Sequence, residues 1–169
     1  MGGNYMSNQK TSENLMEAFA GESQANRKYS AYSKKAEADG KKNAAKLFKA
    51  ASDAETIHAQ KHFEVAGKVK STVENLNDAV SGENHEYQSM YPEFLKVAEE
   101  EGNQAAVRTF IYALKAEEVH ARLYEEALSD LDLEEEVFYY LCPVCGNIEK
   151  VVPERCFICG TFGTKFVKY

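Results

Sequence analysis

Two six-residue strings decide how this chain folds: Ala54-Glu55-Thr56-Ile57-His58-Ala59 and Ala116-Glu117-Glu118-Val119-His120-Ala121. They stand 62 residues apart, and Phe48 and Phe110, Ala51 and Ala113, and Glu64 and Glu126 match at the same offset. A weaker echo, Gly21-Glu22 against Gly82-Glu83, runs at an offset of 61. Self-similarity at a fixed period reads as a duplicated helical hairpin. Within each string, Glu-x-x-His puts both side chains on one helix face, one turn apart, so both reach a common point.

Outward from these strings, Ser12 to about Asp132 carries apolar residues at helical spacing. The first predicted helix bears Leu15, Phe19, Tyr29 and Ala36, and the second Leu47, Phe48, Ala51 and Ala59. The third bears Tyr87, Met90, Phe94 and Val97, and the fourth Val107, Phe110, Leu114, Ala121, Tyr124 and Leu128. Four amphipathic helices of this length predict an all-α four-helix bundle. Gly40, Gly67 and Gly102 mark helix ends, and Thr11 or Ser12 caps the first helix. The first ten residues are expected to fray, with Met6 as an alternative start and Met1–Tyr5 as a short extension. Gly67 to Ala79 is expected to be the longest connection, and Pro92 to kink the third helix or mark an irregular turn.

The polar residues of the repeat sit on the apolar faces. Glu22 follows Phe19 by three residues, Glu55 and Glu117 follow Phe48 and Phe110 by seven, and His120 precedes Tyr124 by four. Glu86 lies one turn after Glu83 on the same face. Burying bare carboxylates costs several kcal/mol each unless something compensates. Two Glu-x-x-His motifs, with a Glu from each remaining helix, form the ligand set of a carboxylate-bridged dimetal site. Imidazole suits iron, and carboxylates can bridge two cations. One such motif on an acidic helix is commonplace; the duplicated set is not. His62 and His85 are expected to have surface or packing roles. Tyr29 and Tyr91 read either as core aromatics or as hydrogen-bond donors to ligand carboxylates.

From about Leu133 the texture changes to Gly, Pro, Cys and short β-prone pieces, so residues 1–132 and 133–169 are read as two domains. A module of roughly 40 residues buries little apolar surface and needs a staple. Cys142-Pro143-Val144-Cys145-Gly146 and Cys156-Phe157-Ile158-Cys159-Gly160 supply one. Four thiolates make a tetrahedral site for zinc or iron, and spacing does not choose between them. Zinc would only staple the tail; iron would transfer electrons, and a neighbouring dimetal site favours iron. All four cysteines lie in the last 28 residues, and Met1 to Lys10 has no apolar segment of a secretory signal, which favours a metal site in a reducing compartment over disulfides. The 20 Lys and Arg against 27 Asp and Glu give a net charge of -7, which argues against nucleic acid as a partner. No apolar run approaches the roughly 20 residues that span a bilayer, so no membrane role is expected.

With these motifs in this order, the chain resembles the rubrerythrin family over essentially Ser12 to Tyr169. The strings Ala-Phe-Ala-Gly-Glu-Ser (18–23) and Met-Tyr-Pro (90–92) add to the likeness already carried by the two Glu-x-x-His motifs and the cysteine knuckles. The resemblance implies a ferritin-like di-iron four-helix bundle joined to a small β-rich rubredoxin-like domain. It implies that Glu22, Glu55, Glu83, Glu86, Glu117 and His120 are di-iron ligands, with Glu55 and Glu117 bridging. His58 would be the seventh group, exchanging with Glu86 on one iron as the redox state changes. Tyr29 and Tyr91 match family tyrosines beside the ligands. Cys142, Cys145, Cys156 and Cys159 would hold a single iron, with zinc an option in recombinant protein.

The implied activity is reduction of hydrogen peroxide to water in oxidative-stress defence. Electrons would come through the four-cysteine iron from rubredoxin or an NAD(P)H-dependent reductase. The implied assembly is a cytoplasmic homodimer, with helix exchange as an option, in which the sulfur site of one subunit faces the di-iron site of the other. The alternative is a ferritin-like ferroxidase or iron store; a third reading is a non-catalytic redox sensor. Two departures from the family are visible. Phe157 stands where Pro is usual, and the spacer between knuckles is slightly short.

Overall fold

The computed structural model describes residues 3–132 and 134–169, with the backbone alone for residues 3–8. Met1, Gly2 and Leu133, the expected first residue of the C-terminal domain, lie outside the described residues. The chain divides by packing into two compact units, Met1–Lys70 and Ser71–Tyr169.

The first unit is a helical hairpin of α1 (Gly3–Ala38) and α2 (Lys42–Val65). The sequence places the helix start at Thr11 or Ser12; instead the helical backbone runs from Gly3. No proline interrupts it, and ion pairing between Lys10 and Glu13 supports the early turns. At its end Gly40 takes φ +70°, and Lys41 N–H reaches back to the Ala36 carbonyl, closing the helix in a Schellman turn. The seam between α1 and α2 is partly polar. Asn26 donates to the Ser52 carbonyl (2.6 Å) and to Thr56 Oγ1 (2.6 Å), Ser52 Oγ donates to the Asn26 carbonyl, and Ser33 Oγ to that of Ala45. Small buried residues, Ala36, Ala45 and Ala59, let the backbones come close enough for these bonds. Phe19 stacks on Phe63 at 4.7 Å, and Tyr29, Tyr32 and Phe48 form a second ring cluster.

The second unit holds α3 (Thr72–His85), one π-helical turn (Glu86–Met90), α4 (Tyr91–Glu100) and α5 (Gln104–Ser129). The first three are one interrupted helix, so the four-helix expectation stands. Pro92 lacks an N–H and its ring crowds the carbonyl four residues back, at Gln88; the widened turn lies there. The long connection expected over Gly67 to Ala79 is shorter than that. Ser71 and Glu74 form a reciprocal capping box that starts α3 at Thr72, a device worth about 1 kcal/mol. Tyr91 and Phe94 pack on Phe110 of α5.

After α5 come β1 (Tyr140–Leu141), β2 (Ile148–Glu149), a 3-10 turn (Gly163–Lys165) and β3 (Val167–Lys168). The strands form an antiparallel sheet in the order β2-β1-β3. This module is tied to α5 of its own chain. Lys150 Nζ bonds Glu126 at 2.6 Å, and the Gly146 carbonyl meets His120 Nε2 at 2.9 Å. Among the described residues no helix is long and apolar enough to cross a membrane.

Candidate metal centres

Among the described residues three clusters of ligand-type side chains form, and the cysteines make one of them. In the first unit Glu22 of α1 joins Glu55 and His58 of α2, with one ligand atom of each within 4.8 Å of the others. His58 Nδ1 lies 3.0 Å from Glu55 Oε2, and the His58 side chain is 55 % exposed. In the second unit Glu83 of α3 joins Glu117 and His120 of α5 by the same measure. His120 Nδ1 lies 2.7 Å from Glu117 Oε2 and 3.9 Å from Glu83 Oε2, and its side chain is only 17 % exposed. The repeat seen in the sequence is thus a repeat of geometry, one Glu plus one Glu-x-x-His per unit. Glu86 stands beside the second triad, close enough to feel the Glu117 charge.

The Gly146 carbonyl sets the state of His120. A carbonyl only accepts, so Nε2 carries the proton, and in the neutral ring Nδ1 then turns a lone pair toward two carboxylates. Without a cation, only protons hold such a group together. Burial and the Glu117 carboxylate push Glu83 up to about 7. Burial and Glu117 raise Glu86 as well. For Glu117 burial acts upward, but the bond to His120 outweighs it and lowers the carboxyl. For His120 burial acts downward, and the bonds to Glu117 and Gly146 outweigh it, so the imidazole is raised. A divalent cation would replace those protons, and the donor set of carboxylates and one aimed imidazole fits iron.

This arrangement fixes a pH dependence. Folded Glu83 keeps its proton up to about 7, against 4.5 as an ordinary carboxyl, so between those values the folded chain binds more protons and stability falls as pH rises. His120 has the same sign: its contribution is full below 6.5 and is lost as pH rises through the higher folded value. Glu117 has the opposite sign, with stability present above 4.5 and lost as pH falls through its lower folded value. Metal-free protein is therefore expected to lose Tm from about pH 5 to about pH 7.5. Iron-loaded protein should gain Tm over the same window, because ligands shed protons to bind metal. Thermal melts at fixed ionic strength read both slopes, and a metal-free Tm that rises with pH would show that Glu83 does not hold the proton.

The four cysteines are free thiols with sulfurs mutually within 4.8 Å; Cys142–Cys159 and Cys145–Cys156 are 3.5 Å apart. A tetrahedron with metal–sulfur bonds of about 2.3 Å has edges of about 3.8 Å, so a single metal fits. The knuckles repeat one fold. Cys142 N–H bonds the Asn147 carbonyl and Cys156 N–H that of Thr161, while Gly146 and Gly160 take φ +81° and +77° to bring the chain round. Burial raises the Cys145 thiol. At Cys159 burial also acts upward, but the Thr161 hydroxyl and N–H outweigh it and bring the thiol to about 7.

Of the expected tyrosines, Tyr91 lies near the second triad, its phenol raised by burial and by Glu86 and Glu117. Tyr29 packs on Tyr32 and Phe48, as a core aromatic would. Tyr124, legible in the sequence only as an apolar-face residue, feels Glu83 and Glu117 just as Tyr91 does. Its place one turn after His120 is the available signal. The Gly146 contact and the side chains of Asn147 and Thr161 have none. Within the chain the Gly146 carbonyl meets His120 and Lys150 meets Glu126, both on α5.

The rubrerythrin family model matches residues 13–128. Rubrerythrin-2 of Clostridium acetobutylicum is 36 % identical, covering 94 % of this chain and 96 % of its own. Nigerythrin of Nitratidesulfovibrio vulgaris is 38 % identical over 88 % of this chain and 81 % of its own. Among solved structures, nigerythrin in a mixed-valence state matches with a TM-score of 0.58 at 38 % identity, covering 94 % of this chain and 86 % of that one. Its fully reduced, all-ferrous state gives 0.59 at 37 % identity.

Proposed function

Because the chain belongs to the rubrerythrin family, whose members hold a di-iron site and a four-cysteine iron site, we propose that it is a non-haem di-iron peroxidase reducing hydrogen peroxide to water. One observation carries this reading: two Glu/Glu/His triads occur in one chain with a four-cysteine site whose knuckle residue Gly146 is hydrogen-bonded to one of them. The balance is H2O2 + 2H+ + 2e− → 2H2O, and a di-iron centre supplies the two electrons.

In this reading Glu22, Glu55, Glu83, Glu86, Glu117 and His120 would hold the irons, with Glu22 and Glu55 offered by the first unit and the others by the second. His58 and Glu86 would be the ligands that differ with redox state, since a neutral imidazole suits a ferrous ion and a carboxylate a ferric one. His58 is 55 % exposed and its Nδ1 meets Glu55 Oε2 at 3.0 Å. Tyr91 and Tyr124 keep their phenol protons beside the carboxylates. His120 links the two sites. Its Nδ1 faces the carboxylates while its Nε2–H bonds the Gly146 carbonyl, so one hydrogen bond joins the backbone of the first knuckle to the ligand ring. Electrons would enter at the four-cysteine iron from rubredoxin or an NAD(P)H-linked reductase. We propose a homodimer, working in a reducing cytoplasm.

Anaerobic stopped-flow absorbance on fully reduced protein of known metal content tests the activity. One equivalent of peroxide is expected to oxidise the di-iron site fast, with O2 slower in a parallel run and the iron–sulfur band changing later. Faster oxidation by O2 than by peroxide would move the assignment to a ferroxidase.

A further inference from the structure

The residue that follows each knuckle glycine does more than close the turn. Asn147 and Thr161 occupy the same position in the two knuckles, each accepting the N–H of its knuckle's first cysteine. Both side chains turn to sulfur. Asn147 Nδ2 lies 3.8 Å from Cys156 Sγ, across the site, and Thr161 Oγ1 lies 3.1 Å from Cys159 Sγ. A metal-bound thiolate has no proton, so in the loaded site the Thr161 hydroxyl is the donor.

Asn147 is 0 % exposed, and its Oδ1 is buried without a hydrogen-bond partner. An unpaired buried carbonyl costs free energy that an apolar side chain of the same size would avoid. Packing alone does not account for an amide here. Its NH2 group explains the choice: one N–H goes to Glu149 Oε1 at 2.8 Å, and the other is left for Cys156. Glu149 also fixes the amide, since a flipped Asn147 would set its oxygen against the carboxylate.

We propose that Asn147 and Thr161 are positioning residues that raise the reduction potential of the four-cysteine iron by donating side-chain hydrogen bonds to Cys156 and Cys159. The proposal rests on reading the cysteine site as a redox iron. On taking up one electron, an iron with four thiolates goes from net charge −1 to −2. Donors to the sulfurs stabilise the more negative state, so they favour the ferrous form.

The test is spectroelectrochemical titration of full-length, iron-loaded protein, following the sulfur-to-iron charge-transfer band. Thr161→Val and Asn147→Leu are each expected to lower the midpoint potential. The double variant should shift the ferric-to-ferrous ratio about tenfold at fixed ambient potential, which is about 59 mV for one electron. The two effects should add, since the residues touch different sulfurs. Thr161→Ser keeps the hydroxyl and should restore the wild-type potential and band position. If Asn147→Leu fails to load iron, the Val/Ser pair at 161 still decides. Loaded Thr161→Val with an unchanged potential and spectrum would overturn the proposal. Zinc in natively produced protein would instead overturn the redox-iron reading beneath it, and metal analysis separates that failure from the other.

Discussion

Glu117→Ala is expected to abolish peroxide turnover while the cysteine site keeps its metal. Glu117 is the hub of the second triad. It lies 2.7 Å from His120 Nδ1, and after burial its carboxylate is the next cause that holds Glu83 and Glu86 high. Removing it takes away the proposed bridging carboxylate and the partner that orients the His120 ring. Losing a group that merely supports a ligand costs about 10–100-fold in affinity or activity, and losing a bridging ligand should exceed that. The metal-free fold should survive, because burying three carboxyls against one imidazole is itself unfavourable and alanine relieves it. Metal analysis should therefore read one iron per chain, the cysteine iron, with its charge-transfer band intact. Melts of the metal-free variant should also show a flatter pH dependence, since Glu83 keeps its burial but loses the carboxylate that adds to the rise. A variant that still binds three irons and turns over peroxide would remove Glu117 from the ligand set.

The legibility of this chain follows from where its information is local. Glu-x-x-His and Cys-x-x-Cys-Gly fix geometry within one turn or one knuckle, so both triads and the four-sulfur cluster are readable from spacing. The third helix is readable as one element because Pro92 leaves the apolar pattern intact while widening a single turn. The start of α3 escapes a reading of the sequence although Ser71 and Glu74 lie in plain view, because a capping box is weak beside the polar stretch around it. Gly146 and Asn147 are not readable as functional. Their meaning comes from contacts spanning 26 and nine residues, His120 with Gly146 and Cys156 with Asn147, which no periodicity announces. Tyr124 lies between these cases, since its helical position is visible but the nearness of Glu83 is not.

Cys156→Ser is expected to separate the two halves of the reaction. Cys156 is 2 % exposed, its backbone closes the second knuckle onto Thr161, and Asn147 donates to its sulfur. A serine keeps the backbone contacts, so the turn should form. The hydroxyl is a poor substitute for a soft thiolate, so the site should lose its iron or hold it with a changed band. Steady-state peroxide reduction driven by a reductase should then fall by more than the roughly 100-fold upper range seen for supporting groups. The triads are untouched, so chemically reduced protein should still consume about one equivalent of peroxide in a single turnover, matching its two stored electrons. His120 is the point of risk in this division, because the Gly146 carbonyl that fixes its tautomer belongs to the other knuckle. If the first knuckle stays folded, Nδ1 keeps its lone pair toward the carboxylates and the single turnover runs at the wild-type rate. If the single turnover is lost with the di-iron site still filled, the cysteine site takes part in the chemical step itself and is more than an electron relay.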